Sequence, residues 1–233
     1  MENNKNKEAE ELNAVKIETA EEGKTQAANV ISFASKRDET LVIKPKKPYV
    51  FEHREYSEID LNGLSKLCIM DAINAQKAMF GEKEVAGAMM SETTTAFARQ
   101  LAAKASGLPI EFFKMMPRGL SKLVERTVQS ALNVDLHTEN HVMRFEKPYS
   151  YQGETYTEID LNAVADLNSM NESAAENKVA RMGFPITETS LNYYYSCVLA
   201  SMATGKPEEF FTGLPLCEVL KLKHAVNADD FFE

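Results

Sequence analysis

Along this chain the apolar positions change period in a fixed order, first alternating and then recurring every three or four residues, and that order is run through twice. Tyr49-Val50-Phe51 and Tyr56 to Leu61 are rich in β-formers and flank a polar turn, Glu52 to Glu55. In the second run the turn is Gln152-Gly153-Glu154, and its glycine suits a tight hairpin connection. Tyr156, Glu158 and Asp160 alternate with Thr157, Ile159 and Leu161, which fits a strand with one buried face. A two-stranded hairpin does not hold by itself in water, so it must pack on the helices that follow.

Those helices are marked by period and punctuation. Ser169-Met170-Asn171-Glu172 has capping-box spacing, and Met170, Ala174, Lys178 and Met182 then share a face up to Gly183. The matching stretch in the first run is Ile69 to Phe80, ending at Gly81. A second helix is predicted by Leu191, Tyr194, Tyr195, Val198, Leu199 and Met202, stopped by Gly205. Its counterpart carries Phe97, Leu101 and Ala105 before Gly107. Pro109 and Pro207 suit the start of a short helix holding Phe112-Phe113 and Phe210-Phe211. Pro117 and Pro215 open a last helix, with Leu120, Leu123, Val124, Val128, Ala131 and Leu132 at helical spacing in the first run.

The repetition extends to identities. Lys47 to Asn62 reads KPYVFEHREYSEIDLN and Lys147 to Asn162 reads KPYSYQGETYTEIDLN, with nine of sixteen positions the same. Gly107 to Pro117, GLPIEFFKMMP, matches Gly205 to Pro215, GKPEEFFTGLP, at six of eleven. A long period occurring twice predicts tandem modules and not a solenoid, whose shorter units need three or more copies. The expected architecture is α+β and mainly helical, two tandem copies of a β-hairpin plus three to four helices. Module 1 spans 45–133 and module 2 spans 147–233, joined by a polar linker over 134–146. Residues 1–44 mix acidic and basic side chains without sustained periodicity and are expected to be a disordered tail, with Ala28 to Phe33 its one apolar island.

Charge and chemistry narrow the function classes. The net charge of −9 gives no footing for a phosphate backbone, so nucleic acid is not an expected partner. No apolar run is long enough for a membrane helix and the N-terminal stretch has no apolar signal core, which predicts a cytoplasmic protein. Cys68, Cys197 and Cys217 are odd in number and lack CxxC spacing, so reduced thiols are expected. Neither a GxGxxG nor a GxxxxGK[ST] loop nor a GxSxG elbow occurs, and no cofactor is expected. His137 and His141 stand four apart, but the segment has no helical stripe and no foreseeable third ligand, so a solvated linker is the preferred reading over a metal site. Glu58 and Asp60, repeated as Glu158 and Asp160, read as the solvent face of a strand and not as an acid/base pair. Cys68 has Asn168 at its counterpart and no foreseeable base, so no enzyme is expected.

What remains is contact surface. Eleven methionines, among them Met89-Met90 and Met115-Met116, suit adaptable apolar interfaces. Tyr193, Tyr194 and Tyr195 cannot all point inward from one helix. With Phe112, Phe113, Phe210 and Phe211 these make up the candidate protein-interaction residues, although the phenylalanine pairs, kept in both modules, also read as core. The pattern PYxFxxxxYxEIDL, then a helix, then GLPIEFFxxxP before a last helix, resembles the tail assembly chaperones of phages and prophages of Gram-positive bacteria. Pro48, Tyr49, Glu58 to Leu61, Gly107 to Phe113 and Pro117 carry the resemblance, with their second-copy counterparts, and it covers both modules but not the tail. The tandem form departs from the single module expected of that family. The resemblance implies a non-enzymatic factor in virion morphogenesis that binds the tape-measure protein, helps recruit tail-tube subunits and leaves before maturation. The alternative is a structural or adaptor protein retained in a larger phage-like particle, and self-association is compatible with both.

Overall fold

The computed structural model describes residues 41–81, 91–132, 141–185 and 189–228. The tail up to residue 40, Met89, Met90 and His137 lie outside the described residues. The fold is α+β and mainly helical. Its first half contains β1 (Val42–Ile43), β2 (Tyr49–Phe51), β3 (Arg54–Tyr56) and β4 (Ile59–Asp60), then α1 (Ile69–Gly81), α2 (Thr95–Ser106), α3 (Ile110–Lys114) and α4 (Arg118–Leu132). Its second half contains β5 (Val142–Tyr151), β6 (Glu154–Asp160), α5 (Ser169–Arg181), α6 (Tyr193–Thr204), α7 (Glu208–Thr212) and α8 (Val219–Val226).

Register shows how closely the halves correspond. Val42 pairs with Asp60 and Tyr49 with Tyr56; Val142 pairs with Asp160 and Tyr149 with Tyr156, each a hundred residues on. Strands β5 and β6 run through a register shift between Arg144 and Tyr149, where the first half breaks into β1–β4 and β2–β3. The shift also turns the strand over, which interrupts the expected strict alternation. Ile159 is buried, yet Tyr156, of opposite parity, packs on Phe210. The strands begin earlier than expected. Val42–Ile43 belongs to the fold and not to the tail, and residues 142–146, expected as linker, form the first half of β5, held by Met143 and Phe145 in the core.

The turns and caps follow local chemistry. Glu52 and His53 both sit at positive φ, 47° and 64°, as do Gln152 and Gly153 at 50° and 87°, the backbone that a two-residue hairpin turn needs. Gly107 and Gly205 end α2 and α6 in the left-handed region, at 70° and 69°. The capping box of α5 lies one residue earlier than its spacing suggested. Asn168 accepts from the Met170 and Asn171 amides, while Asn171 accepts from the Asn168 amide. An amide side chain at this position reaches two backbone donors, which leaves Ser169 inside the helix.

The core is continuous through both halves. Phe112 lies edge-on to Tyr49, Phe51 and Tyr56 at 4.9, 5.4 and 4.8 Å, and Phe210 meets Tyr149, Tyr151 and Tyr156 at 5.3, 5.3 and 4.9 Å. This aromatic clasp fastens each hairpin to its short helix. The halves are not two freestanding domains, because residues from Leu41 onward form one unit. α6 is buried on almost every side, and α1 packs on α6 as well as on α2.

Candidate functional site

Side chains from both halves meet most densely at the seam beside α1 and α6. Gln76, buried on α1, donates through Nε2 to Ser91 Oγ and to the Leu191 carbonyl, both at 3.0 Å, and accepts from the Tyr193 amide at 3.2 Å. Tyr193 donates its hydroxyl to Glu92 Oε2 at 2.7 Å, and Lys223 donates to Glu92 Oε1 at 2.6 Å. Burial opposes the charge on Glu92, but the bonds from Lys223 and Tyr193 outweigh it and hold the carboxyl below its ordinary value. The Tyr193 hydroxyl is pushed well up by burial and by the adjacent Glu92 carboxylate. A short backbone ladder completes the seam, with the Ile69 amide on the Leu214 carbonyl and the Leu216 amide on the Leu67 carbonyl, both 2.9 Å. Phe80 meets Phe184 edge-on at 5.8 Å. All these groups satisfy one another, so the seam is a joint.

Two further polar clusters lie within the second half. Glu208 accepts from Lys178 and from the Tyr194 hydroxyl, which ties α5 and α6 to α7. Glu218 is buried and accepts from the Glu146 amide at 2.7 Å, with Lys221 Nζ at 3.7 Å. Burial raises the Glu218 carboxyl, the amide and Lys221 notwithstanding. Lys221 in turn donates to the Arg144 carbonyl at 2.8 Å, so this pair clamps β5 on α8.

Most of the expected contact residues fall in the core. Phe112, Phe113, Met116, Tyr193, Tyr195, Phe210 and Phe211 are buried and present little contact area; the phenylalanine rings belong to the clasp and Tyr193 to the seam. Tyr194 is half-buried on Glu208. Among the described residues Met115 alone of that set is open, at 72% exposure, and the other large apolar side chains in solvent are Met170 at 78%, Val50 at 57% and Leu123 at 42%. Met170 and Ala174, predicted to share a face of α5 with Lys178 and Met182, are exposed; the inner face is Ala175 and Val179, with Met182 half-buried. Leu123 was expected inside α4 and lies on its outer side, since Leu120, Val124 and Val128 fill the inner arc.

The candidate chemistry is absorbed by structure. Glu58, Asp60, Glu158 and Asp160 face solvent. Asp60 accepts from the Asn62 amide, and Asp160 from the Asn162 amide and side chain, each at 2.8 Å, which lowers the Asp160 carboxyl and turns the chain out of the strand. Glu158, Asp160 and Asp166 line an open depression with Lys206, whose ammonium lies 4.2 Å from the Tyr156 ring centre. No cluster of three metal-binding side chains occurs among the described residues. No described helix is long and apolar enough to cross a membrane. Cys197 is fully buried, which pushes its thiol far up, and burial also raises that of half-buried Cys68. Comparison of the chain with family models, curated proteins and solved structures found no match.

Proposed function

We propose that this chain is a non-enzymatic tail assembly chaperone that binds the tape-measure protein, and helps recruit tail-tube subunits, in the host cytoplasm during phage tail morphogenesis. One observation carries the reading. The aromatic residues of the motif that resembles this family close the same clasp in both halves, Tyr49, Phe51 and Tyr56 on Phe112 and Tyr149, Tyr151 and Tyr156 on Phe210. The motif is therefore scaffold, and the exterior is left for contact. Met115, Met170, Val50 and Leu123 stand exposed as single apolar side chains, the unbranched methionines able to adapt to varied helical partners. Several weak contacts of this kind along one long partner give avidity with easy release.

Co-expression with a tape-measure-like protein tests the proposal. The expected result is a several-fold rise in the soluble fraction of that protein and its co-purification with this chain. Unchanged solubility together with no co-purification rejects it. Mass spectrometry of finished particles separates the chaperone from a retained adaptor, since only the adaptor persists in them.

A further inference from the structure

Packing between the halves runs in one direction. α1 receives α6, α7 and Leu214 to Leu216, and α4 also packs on Leu216 to Glu218 while Arg118, Lys122 and Arg126 stay exposed. No comparable packing joins α5, the counterpart of α1, to α2, α3 or α4 among the described residues. A contact of this head-to-tail kind leaves one receiving face and one inserting face over.

The leftover faces differ from the seam in a correlated way. On α1 the receiving arc is Ile69, Ala72, Ile73 and Gln76, all buried. On α5 the same arc reads Ser169, Glu172, Ser173 and Glu176, with Met170 exposed beside it. The inserting residues Leu214, Pro215 and Leu216 correspond to Met116, Pro117 and Arg118. Met115 stands exposed just before them, and Arg118, Lys122 and Arg126 follow along the outer side of α4, with Lys122 also paired to Glu125. The receiving arc has become acidic and the inserting edge basic, although the whole chain is strongly acidic. Each face also carries one of the two most exposed large apolar side chains among the described residues, and both are methionines.

We infer that these faces are complementary contact surfaces between copies of this chain, with α5 of one copy seated against the Met115–Arg118 corner and α4 of the next. The chain's own contact of α1 with Leu214 to Leu216 supplies the geometry of the corner, with the basic side of α4 next to it, and the exchanged residues make the contact charge-driven and reversible where the internal one is buried. Exposed charges separated by solvent are screened by salt, so the association is weak and ionic-strength dependent. This inference does not rest on the chaperone reading and is measured without any other protein.

Sedimentation velocity of the full chain over a range of concentrations provides the test. The sedimentation coefficient is expected to rise with concentration at low salt, the association constant falling at least about tenfold between roughly 50 and 500 mM salt. Glu172→Lys with Glu176→Lys, and separately Arg118→Glu with Arg126→Glu, each place like charges on both faces and are expected to sediment as monomers. Mixing the two variants restores opposite charges at every junction and is expected to restore association. Circular dichroism checks folding, and Glu172→Gln with Glu176→Gln, which only weakens the contact, stands in if a reversal unfolds. A wild-type chain that stays monomeric at low salt, association unaffected by the reversals, or no rescue on mixing overturns the inference.

Discussion

Gly63 has no room for a side chain, because a Cβ there would lie 2.0 Å from the Ala105 carbonyl oxygen, a backbone atom of α2 that cannot swing aside. Gly63→Ala is therefore expected to destabilise by about 2–4 kcal/mol, read as a lower urea midpoint. Gly119 is the control. A Cβ there meets nothing within 4 Å on the exposed side of α4, so Gly119→Ala is expected to stabilise by roughly 0.5–1 kcal/mol through helix propensity. None of this contrast is visible in the sequence, where both are lone glycines between a polar residue and a leucine. Glycine in a turn is easier to read. Gly153 was identified beside Gln152, and His53 occupies the same left-handed position at φ 64° in the first half. His53→Gly is expected to raise stability by roughly 0.5–1 kcal/mol in the same urea measurement, relieving the strain of a side chain at positive φ.

Single elements were legible where one face settles their fate. The glycine stops of α2 and α6, the prolines before α3 and α7, and the inner arc of α4 all stand where periodicity and punctuation put them. In α5 the periodicity groups Met170, Ala174, Lys178 and Met182 on one face, and only the packing of Ala175 and Val179 on α6 fixes which side faces in. Small apolar residues carry a weak hydrophobic signal, and a closely packed helix pair uses them for that reason. The clasp makes a prediction at this scale. Phe112→Ala and Phe210→Ala each remove a fully buried ring that four others abut, and each is expected to cost about 3–5 kcal/mol by denaturant titration.

Across the whole molecule the seam makes the halves unfold together. Gln76→Ala would leave the Leu191 carbonyl and the Tyr193 amide without their partner, an expected loss of about 2–3 kcal/mol within one cooperative transition. Two separate transitions would contradict the joint. Glu92 adds a pH dependence. Its carboxyl is held below the ordinary 4.5, so its contribution is in full force above that value and fades as the pH falls through the lower folded value. The stability gap between the wild type and Glu92→Gln is expected to shrink on acidification below about pH 4.5, measured by denaturation at a series of pH values. Glu218 has the opposite sign. Its raised carboxyl takes up a proton more readily in the folded state, so the stability it contributes is fully present below about pH 4.5 and is lost as the pH rises through the folded value.

The sequence by itself determined the α+β, mainly helical class, the order of the helices in each half, the hairpin turns, and the need of each hairpin to pack on the helices that follow it. Those features depend on neighbours a few residues apart, through side-chain period, backbone φ and caps, and both halves state them alike. Tertiary structure decided that the halves share one core, that α1 is interior while its counterpart α5 is peripheral, and that most of the suspected contact aromatics are filling. These depend on which surfaces meet across a hundred residues. Ile69, Ala72 and Gln76 against Ser169, Glu172 and Glu176 record that difference, but as a list of residues it has no direction until α1 is seen packed on helices of the other half while α5 packs within its own.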